Sequence, residues 1–351
     1  MASSAYSIFV VTLFMLFMTT SRAGDVVANE TSAALLIRVD QSGKGDYTKI
    51  QDAIDAVPSD NKEHVFILVK PGIYKEKIVV PADKPFITIS GLSANTTIIT
   101  WNDGANIYDS PTFSVLASDF VGRYLTIQVY IYIYYNMMIS NNTFGPGAKT
   151  VALRVSGDRA AFFGCRILAY QDTLLDDMGR HYYSNCYIEG AVDFICGNAA
   201  SLFERCHLHS LSVGDAAITA QRRMSPAEDT GFTFLGCKIT GVRTAILGRP
   251  WGAYSRVIFA YSYMSNVILP QGWDNWGDSA KESTAFYREY KCYGPGANTK
   301  KRVEWTQKLT DTEAEFFLTK NMIGGNSWIR STPTRFKKAS FTISNNSTNH
   351  A

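Results

Sequence analysis

Apolar and polar residues alternate in short stretches along most of this chain. Four stretches share one pattern, an aromatic residue followed three positions later by a cysteine and two positions after that by isoleucine or leucine, at 162–167, 183–188, 203–208 and 234–239. Alternation with a period of two predicts β-strands. Because the cysteines recur 21, 20 and 31 residues apart, the pattern predicts a solenoid whose coils stack strand on strand. We therefore expect a parallel β-helix; an antiparallel sandwich is the alternative.

Helical spacing is confined to the two ends of the repetitive region. Residues 47–57 place their apolar side chains on one face and stop before Pro58, which predicts a helix that covers the first coil. Thr310 and Glu313 form a capping-box pattern at the start of 311–323, which predicts a second helix.

The first 23 residues have the pattern of a secretory signal peptide. Residues 8–18 form an apolar run of 11 interrupted only by Thr12, and Ser21-Arg22-Ala23 offers small residues for cleavage. An uncleaved anchor is the alternative. We expect a secreted protein, for which five glycosylation sequons become usable, at Asn29, Asn95, Asn141, Asn345 and Asn346.

The overall composition excludes two broad classes. With 46% hydrophobic and 19% charged residues among 351, the chain can bury a large core and is not globally disordered. Its 34 Lys+Arg against 31 Asp+Glu give a mild basic excess without a basic block, so a nucleic-acid-binding protein is not indicated. No segment after the first 23 residues is apolar enough to suggest a membrane span.

The six cysteines would lie in an oxidising compartment, where disulfides are allowed. We expect Cys165, Cys186, Cys206 and Cys237 to form an inward-facing column along consecutive coils. Cys206 and Cys237, separated by the one long coil, are the best candidates for a disulfide.

Two aspartates occupy the same position on consecutive coils. Asp172 lies seven residues after Cys165, and Asp193 lies seven residues after Cys186. Because stacked strands are about 4.8 Å apart, the two carboxyl groups should be neighbours. One pKa should then be raised and the pair should titrate as a unit, which suits a nucleophile beside a general acid. The alternative is two turn aspartates on a solvated surface.

Three local sequences carry a specific family resemblance. YQDTL at 170–174, VDFICGNAA at 192–200 and LGRPW at 247–251 resemble signature segments of plant pectin methylesterases. Shorter segments match in the right order, namely VALR at 151–154, TAQR at 219–222, QGW at 271–273 and GPGA at 294–297. The resemblance extends from about residue 39 to residue 328. It implies an all-β, right-handed parallel β-helix of the pectin-lyase-like type, with short terminal helices.

The resemblance also implies an activity, the hydrolysis of galacturonate methyl esters in homogalacturonan to pectate and methanol, without a cofactor or metal. Asp193 resembles the nucleophile that forms an acyl-enzyme. Asp172 resembles the acid that protonates methanol and then the base that activates water. Gln171 resembles a donor to the oxyanion, and Arg249 resembles the partner that keeps Asp193 ionised.

Four aromatic residues are candidates for stacking on a sugar ring. Trp251 resembles the main wall of the substrate site, and Tyr170, Phe194 and Trp273 are weaker candidates. Plain packing is the alternative for each of them.

The chain departs from the family pattern in two places. Lys149 replaces a glutamine that resembles a second oxyanion donor, so it is a further candidate substrate contact. Thirteen residues, VYIYIYYNMMISN at 129–141, are inserted shortly before it. We interpret them as a retained intron fragment or gene-model error, the alternative being a genuine bulged loop. If the tract loops out, Lys149 should face into the cleft beside Gln171.

The predicted organisation is a signal peptide at 1–23, a short segment at 24–38, a pectinesterase domain at 39–330 and a loose polar tail at 331–351. The inhibitor-like pro-domain of many relatives is not seen. We expect a monomer in the cell wall whose partner is pectin, with a proteinaceous pectinesterase inhibitor as a further candidate partner.

Two other functions remain open at this stage. Lys149 and the insertion would also fit a catalytically weakened relative that binds pectin or a partner protein. Glycosidic cleavage on the same fold, as in polygalacturonases, is a third reading, against which LGRPW and QDTL argue. A serine esterase is not indicated, since the chain has no G-x-S-x-G segment.

Overall fold

Successive coils of the chain stack in register, so that equivalent strands form three long parallel sheets. The computed structural model describes residues 33–104, 106–129 and 149–339. Within these ranges every strand pairing is parallel, and the sheets contain 12, 7 and 8 strands. From Val65 to Gly248 each coil contributes one strand to each sheet in turn, whereas the coils at the two ends supply strands to only one or two of the sheets. The predicted parallel β-helix is therefore confirmed, and no helix among these residues is long and apolar enough to cross a membrane.

The strands of each sheet follow one another along the solenoid axis. The first sheet contains Phe336–Lys338, Ala34–Val39, Val65–Val69, Ile87–Ser90, Val121–Arg123, Ala160–Phe163, Arg180–Ser184, Ala200–Glu204, Gly231–Leu235, Arg256–Ala260, Phe286–Tyr290 and Gln307–Lys308. The second contains Ile78–Val80, Phe113–Val115, Leu153–Val155, Leu174–Asp176, Ile195–Gly197, Ala216–Gln221 and Ala245–Gly248. The third contains Gly72–Lys75, Thr97–Trp101, Thr126–Val129, Arg166–Leu168, Tyr187–Gly190, His207–Ser210, Lys238–Gly241 and Tyr263–Met264.

Helices lie near both ends, as predicted, but they are shorter than the sequence pattern suggests. The first α-helix is Ile50–Asp55 and the second is Asp311–Phe317. The predicted capping box is present, since Thr310 accepts from the backbone of Glu313 and the Glu313 carboxylate accepts from the backbone of Thr310. Short 3₁₀ helices make up the remaining helical turns, at Ser279–Ser283, Pro295–Ala297, Thr299–Lys301, Lys320–Ile323 and Gly325–Ser327.

The aromatic residues three positions before the repeat cysteines stack on one another and form a ladder inside the solenoid. Ring centroids of Tyr183 and Phe203 lie 4.6 Å apart with an interplanar angle of 6°. Phe203 and Phe234 also lie 4.6 Å apart, and Phe162 stacks on Tyr183 at 5.2 Å. Offset stacking adds to the burial of apolar surface. The ladder therefore holds neighbouring coils in one register.

In each of these coils, a residue with a left-handed backbone conformation turns the chain from the first sheet into the third. The position directly before each repeat cysteine has a positive φ, and it is filled by Gly164, Asn185, Arg205 or Gly236. Glycine and asparagine adopt this conformation most easily. Because the corner is the same in each coil, the cysteine that follows it always points inward.

The predicted cysteine column is confirmed, but the predicted Cys206–Cys237 disulfide is wrong. All six cysteines are free thiols, and the four repeat cysteines are buried in the core. Each repeat thiol lies near a backbone carbonyl of the preceding coil or of its own coil; Cys206 Sγ donates to Tyr183 O at 3.4 Å and Cys237 Sγ to Phe203 O at 3.3 Å. Stacked coils thus give the two thiols separate carbonyl partners.

The last described strand returns to the first coil. Residues Phe336–Lys338 pair in parallel with Ala34–Leu36, and the Phe336 ring packs against Phe66 with centroids 5.1 Å apart. The expectation of a loose tail from residue 331 is therefore wrong for these three residues. Of the 129–141 insertion, Val129 ends a strand of the third sheet. Its remaining residues lie outside those described.

Truncation of the ladder should destabilise the fold strongly. Phe203 is fully buried, so Phe203→Ala should lower the free energy of unfolding by about 3–5 kcal/mol because it opens a cavity between stacked rings. Phe316→Ala is the matched control, since that ring is 50% exposed, and it should cost about 1 kcal/mol or less. Chemical denaturation measures both. Equal losses in the two variants would contradict the role of the ladder.

Candidate active site

The two aspartates predicted to be neighbours lie at equivalent corners of consecutive coils. Asp172 and Asp193 each precede a strand of the second sheet, and each has a positive φ, of 56° and 47°. The backbone N–H of Asp172 donates to Val192 O at 3.1 Å, and that of Asp193 to Ala217 O at 2.8 Å. Aspartate tolerates this left-handed conformation better than most residues. The corner therefore turns both carboxyl groups towards the outside of the second sheet.

Arg249 binds Asp193 through two hydrogen bonds. Its Nε donates to one carboxylate oxygen at 2.8 Å and its Nη2 to the other at 2.6 Å. Gly248 is the last residue of the strand directly before this arginine. A larger residue would clash there, because its Cβ would lie 2.1 Å from Thr219 Oγ1. A fork of this kind suits an ionised carboxylate and fixes its orientation.

The two carboxyl groups have different surroundings, which give them different protonation states and therefore different possible roles. Burial, followed by the negative charge of Asp193, raises the pKa of Asp172 to about 7, although Lys149 and Arg249 act against this rise. Burial also raises the pKa of Asp193, but the hydrogen bonds and charge of Arg249 oppose it. With Arg249 in place, Asp193 is the group that holds the negative charge and Asp172 is the group that holds a proton near neutral pH.

Both carboxyl groups open into a cavity of about 200 Å³. Gln171 and Lys149 also line it. The backbone carbonyl of Gln171 accepts from Thr150 N at 3.1 Å, which places the coil of Lys149 directly beside that of Gln171. The carboxamide of Gln171 has no hydrogen-bond partner among the described residues, so its N–H groups are available to a bound molecule.

Trp251 forms an apolar wall of the cavity. It is half-buried and packs against outward-facing side chains of the second sheet and its flanking loops, namely Ile107, Val151, Leu175, Cys196 and Ala220. Three of these, Ile107, Cys196 and Ala220, line the cavity together with Trp251. The site thus combines a charged end with an apolar floor, as carbohydrate sites commonly do.

Two of the predicted aromatic contacts are wrong. Phe194 is fully buried in the solenoid core together with the next residue, Ile195, although Asp193 before it lines the cavity. Trp273 is 1% exposed and stacks on Tyr287 with centroids 4.3 Å apart. Neither ring can contact a saccharide. Tyr170 is half-buried beside Gln171 but does not line the cavity, and its role stays a prediction.

Trp276 lines the cavity and was missed by the sequence analysis. Its ring covers the guanidinium of Arg249, with 3.9 Å between Cζ and the ring centroid. The arginine is therefore held between a carboxylate edge and an aromatic face. Trp276 has a positive φ of 60° in an Asp-Asn-Trp-Gly turn, and only the recurrence of tryptophan three residues after Trp273 could have drawn attention to it.

The chain was compared with protein families and with known proteins. The family model described as Pectinesterase matches residues 36–326. A protein of Arabidopsis thaliana named "Putative pectinesterase 11" is 59% identical over 310 residues, which cover 88% of this chain and 84% of that protein. Pectinesterase 31 of the same plant is 43% identical, with 81% and 90% covered.

A solved structure is also similar over most of its length. Pectin methylesterase from carrot superposes with a TM-score of 0.77 at 34% sequence identity, and the match covers 87% of this chain and 98% of the carrot chain. This match confirms the right-handed parallel β-helix predicted from the sequence.

The raised pKa of Asp172 predicts that this carboxyl group weakens the fold at neutral pH. The folded state binds its proton more tightly than the unfolded chain, so stability is lost as pH rises from about 4 towards about 7. Asp172→Asn lacks this group. Its stability relative to the unsubstituted protein should therefore increase across that interval, by more than about 1 kcal/mol, and level off above it. Thermal unfolding between pH 4 and 8 measures the difference; a gap that stays constant with pH would contradict the assignment.

Proposed function

The chain belongs to the pectinesterase family, and we propose that it removes methyl esters from pectin through a covalent intermediate on Asp193. It is an ester hydrolase, and its pectin demethylesterase activity follows from the family and from the likeness to solved pectin methylesterases. The observation that carries the proposed mechanism is the pairing of an Arg249-bound carboxylate with a carboxyl group whose pKa is about 7.

The first step forms an acyl-enzyme. A carboxylate oxygen of Asp193 attacks the ester carbonyl carbon, and the carbonyl oxygen takes up the negative charge. The tetrahedral intermediate collapses as the bond to the methoxy oxygen breaks, and Asp172 gives its proton to that oxygen. Methanol leaves, and Asp193 is joined to the galacturonate acyl group as an anhydride.

The second step returns both aspartates to their starting states. Asp172, now ionised, takes a proton from a water molecule, whose oxygen attacks the galacturonate acyl carbon. Collapse of this intermediate breaks the bond to Asp193. The products are a galacturonic acid unit, which then loses its proton to solvent, and an ionised Asp193, and Asp172 carries the proton for the next cycle. The net reaction consumes one water and one ester and yields one methanol and one acid.

Gln171 is the proposed donor to the oxyanion of both intermediates. Its unpartnered carboxamide lines the same cavity as the two aspartates, and loss of one such donor typically costs about 10²–10³ in rate. Lys149 is proposed as a second donor, since its ammonium group lies at the cavity and acts on Asp172. A lysine is less constrained than an amide, but it adds a full positive charge near the developing oxyanion.

The proposed substrate is pectin, and the protein is proposed to act outside the cell. A pectin methylesterase with a TM-score of 0.67 to this chain is described as a complex with a hexasaccharide, which supports binding of the polysaccharide. The apolar run at 8–18 and the sequon at the exposed Asn95 are consistent with secretion and glycosylation. A monomeric state and a proteinaceous inhibitor remain predictions.

The aspartate pair can be tested with a matched corner residue. Asp193→Ala and Asp172→Ala should each lower methanol release from methylated pectin by about 10³ or more, and the double variant should be little worse than either, because the residues act as one unit. Asp215→Ala is the control. Asp215 also has a left-handed backbone, with φ 52°, directly before the next strand of the second sheet, but it is not among the residues that line the cavity. Near-full activity in either single variant would contradict the mechanism.

Lys149 should control the alkaline limb of the pH profile. Its charge lowers the pKa of Asp172, and Asp172 must be protonated to release methanol. Lys149→Gln should therefore move the alkaline fall of kcat/KM to higher pH while keeping activity within about tenfold, since glutamine also donates. Lys238→Gln, on the outer face of the third sheet, is the control. If Lys149→Gln raised kcat by orders of magnitude, the native chain would be the catalytically weakened binding protein.

A further inference from the structure

Arg222 lies at the rim of the cavity in a position that leaves most of its donors free. Its Nη1 donates to Tyr108 Oη at 3.0 Å, and its Cζ lies 5.1 Å from the ring centroid of Trp251. Of the five N–H groups of a guanidinium, only this one is hydrogen-bonded within the described part of the chain. The side chain is 31% exposed. The guanidinium is thus held beside an aromatic wall and remains partly exposed to solvent.

The charge of Arg222 is not neutralised by its neighbours. The nearest carboxylate is Asp177, whose Oδ1 lies 3.7 Å from Arg222 Nη2. That carboxylate already accepts from Arg154 through Oδ2, at 3.3 Å from Nε and 3.1 Å from Nη2, and from Ser156 Oγ at 2.9 Å. Two guanidinium groups therefore share one buried carboxylate, and the pair carries an excess positive charge at the surface.

The positive charge of Arg222 lies outside the cavity of the two aspartates but on the same surface of the solenoid. Tyr108 follows the cavity residue Ile107, and Arg222 follows shortly after the cavity residue Ala220. Arg222, Arg154 and Tyr108 are not among the residues that line the cavity of the two aspartates, and Arg222 contacts that cavity only through its wall, Trp251. A group held by Arg222 therefore belongs to a sugar next to the one whose ester is cleaved.

We propose that Arg222, supported by Arg154, Tyr108 and Trp251, binds the free carboxylate of a galacturonate unit that has already lost its methyl group. The inference rests on the proposed function, because it assigns a second position along the same polyuronate. A methyl ester is neutral and offers one good acceptor, its carbonyl oxygen, whereas a carboxylate offers two equivalent charged oxygens that match the planar fork of an arginine. The site therefore favours partly de-esterified pectin over fully methylated pectin.

The experiment compares two substrates and four proteins. Methanol release is measured on fully methylated and on partly de-esterified oligogalacturonates, with the unsubstituted protein, Arg222→Gln, Arg222→Lys and the control Arg205→Gln. Arg205 is also a surface arginine beside a carboxylate, with its side chain 68% exposed and paired with Glu204, but it lies at the corner between the first and third sheets. In parallel, the Kd of a fully de-esterified oligogalacturonate is measured by calorimetry, which does not depend on turnover.

Arg222→Gln should lower kcat/KM on the partly de-esterified substrate about three- to tenfold, with little change on the fully methylated one, and should raise the Kd of the de-esterified oligomer by a similar factor. Arg222→Lys should retain only part of the preference, because lysine keeps the charge but loses the planar fork, and Arg205→Gln should retain all of it. An equal loss on both substrates, or an unchanged Kd in Arg222→Gln, would overturn the carboxylate site. Absence of methanol release by the unsubstituted protein would instead overturn the proposed function, and the Kd series would still decide on Arg222.

Discussion

In-register stacking of the coils is the constraint on which the rest of the structure depends. Each coil pairs in parallel with the next, so a residue type that recurs at one phase of the repeat becomes a column in space. The aromatic ladder and the thiol column are two such columns inside the solenoid. The Asp172–Asp193 pair is a third, on its outer surface. A shift of register by one residue would turn each of these side chains to the opposite face, so packing in the interior and chemistry at the surface are fixed by the same pairing.

The same stacking has an energetic cost at the candidate active site, where it buries two carboxyl groups. It brings two carboxyl groups together at left-handed corners with little access to solvent, and burial raises the pKa of both. Arg249 offsets this for Asp193 alone, because its strand delivers the guanidinium to that coil and Trp276 covers its other face. An asymmetric environment is thus built from two chemically identical residues. In the proposed mechanism, this asymmetry allows one aspartate to act as a nucleophile while the other carries a proton.

Features that repeat were predictable from the sequence, and features that depend on a single contact were not. The period of the cysteines was enough to predict the β-helix and the proximity of Asp172 to Asp193. The resemblance to a family suggested Phe194 and Trp273 as substrate contacts, but it does not say which face a side chain takes. Alternation could not have settled this for Phe194, because Phe194 and Ile195 are both in the core directly after the left-handed corner at Asp193. Trp276 and Arg222 act through contacts with residues distant in sequence. Nothing in the sequence indicates that the thiols stay free and that backbone carbonyls are among their hydrogen-bond partners.

The return of Phe336–Lys338 to Ala34–Leu36 has a consequence for how the solenoid ends. A stack of parallel strands exposes unpaired N–H and C=O groups on its terminal coil, and such an edge is a template for the addition of strands from other molecules. Here the chain occupies the edge of its first coil with its own distant segment, two of whose three residues are lysines. Lysine on an outermost strand disfavours further addition. Residues Phe336–Lys338 therefore cover an edge that other strands could otherwise join, and a protein that ends before residue 336 would leave the edge of Ala34–Val39 unpaired.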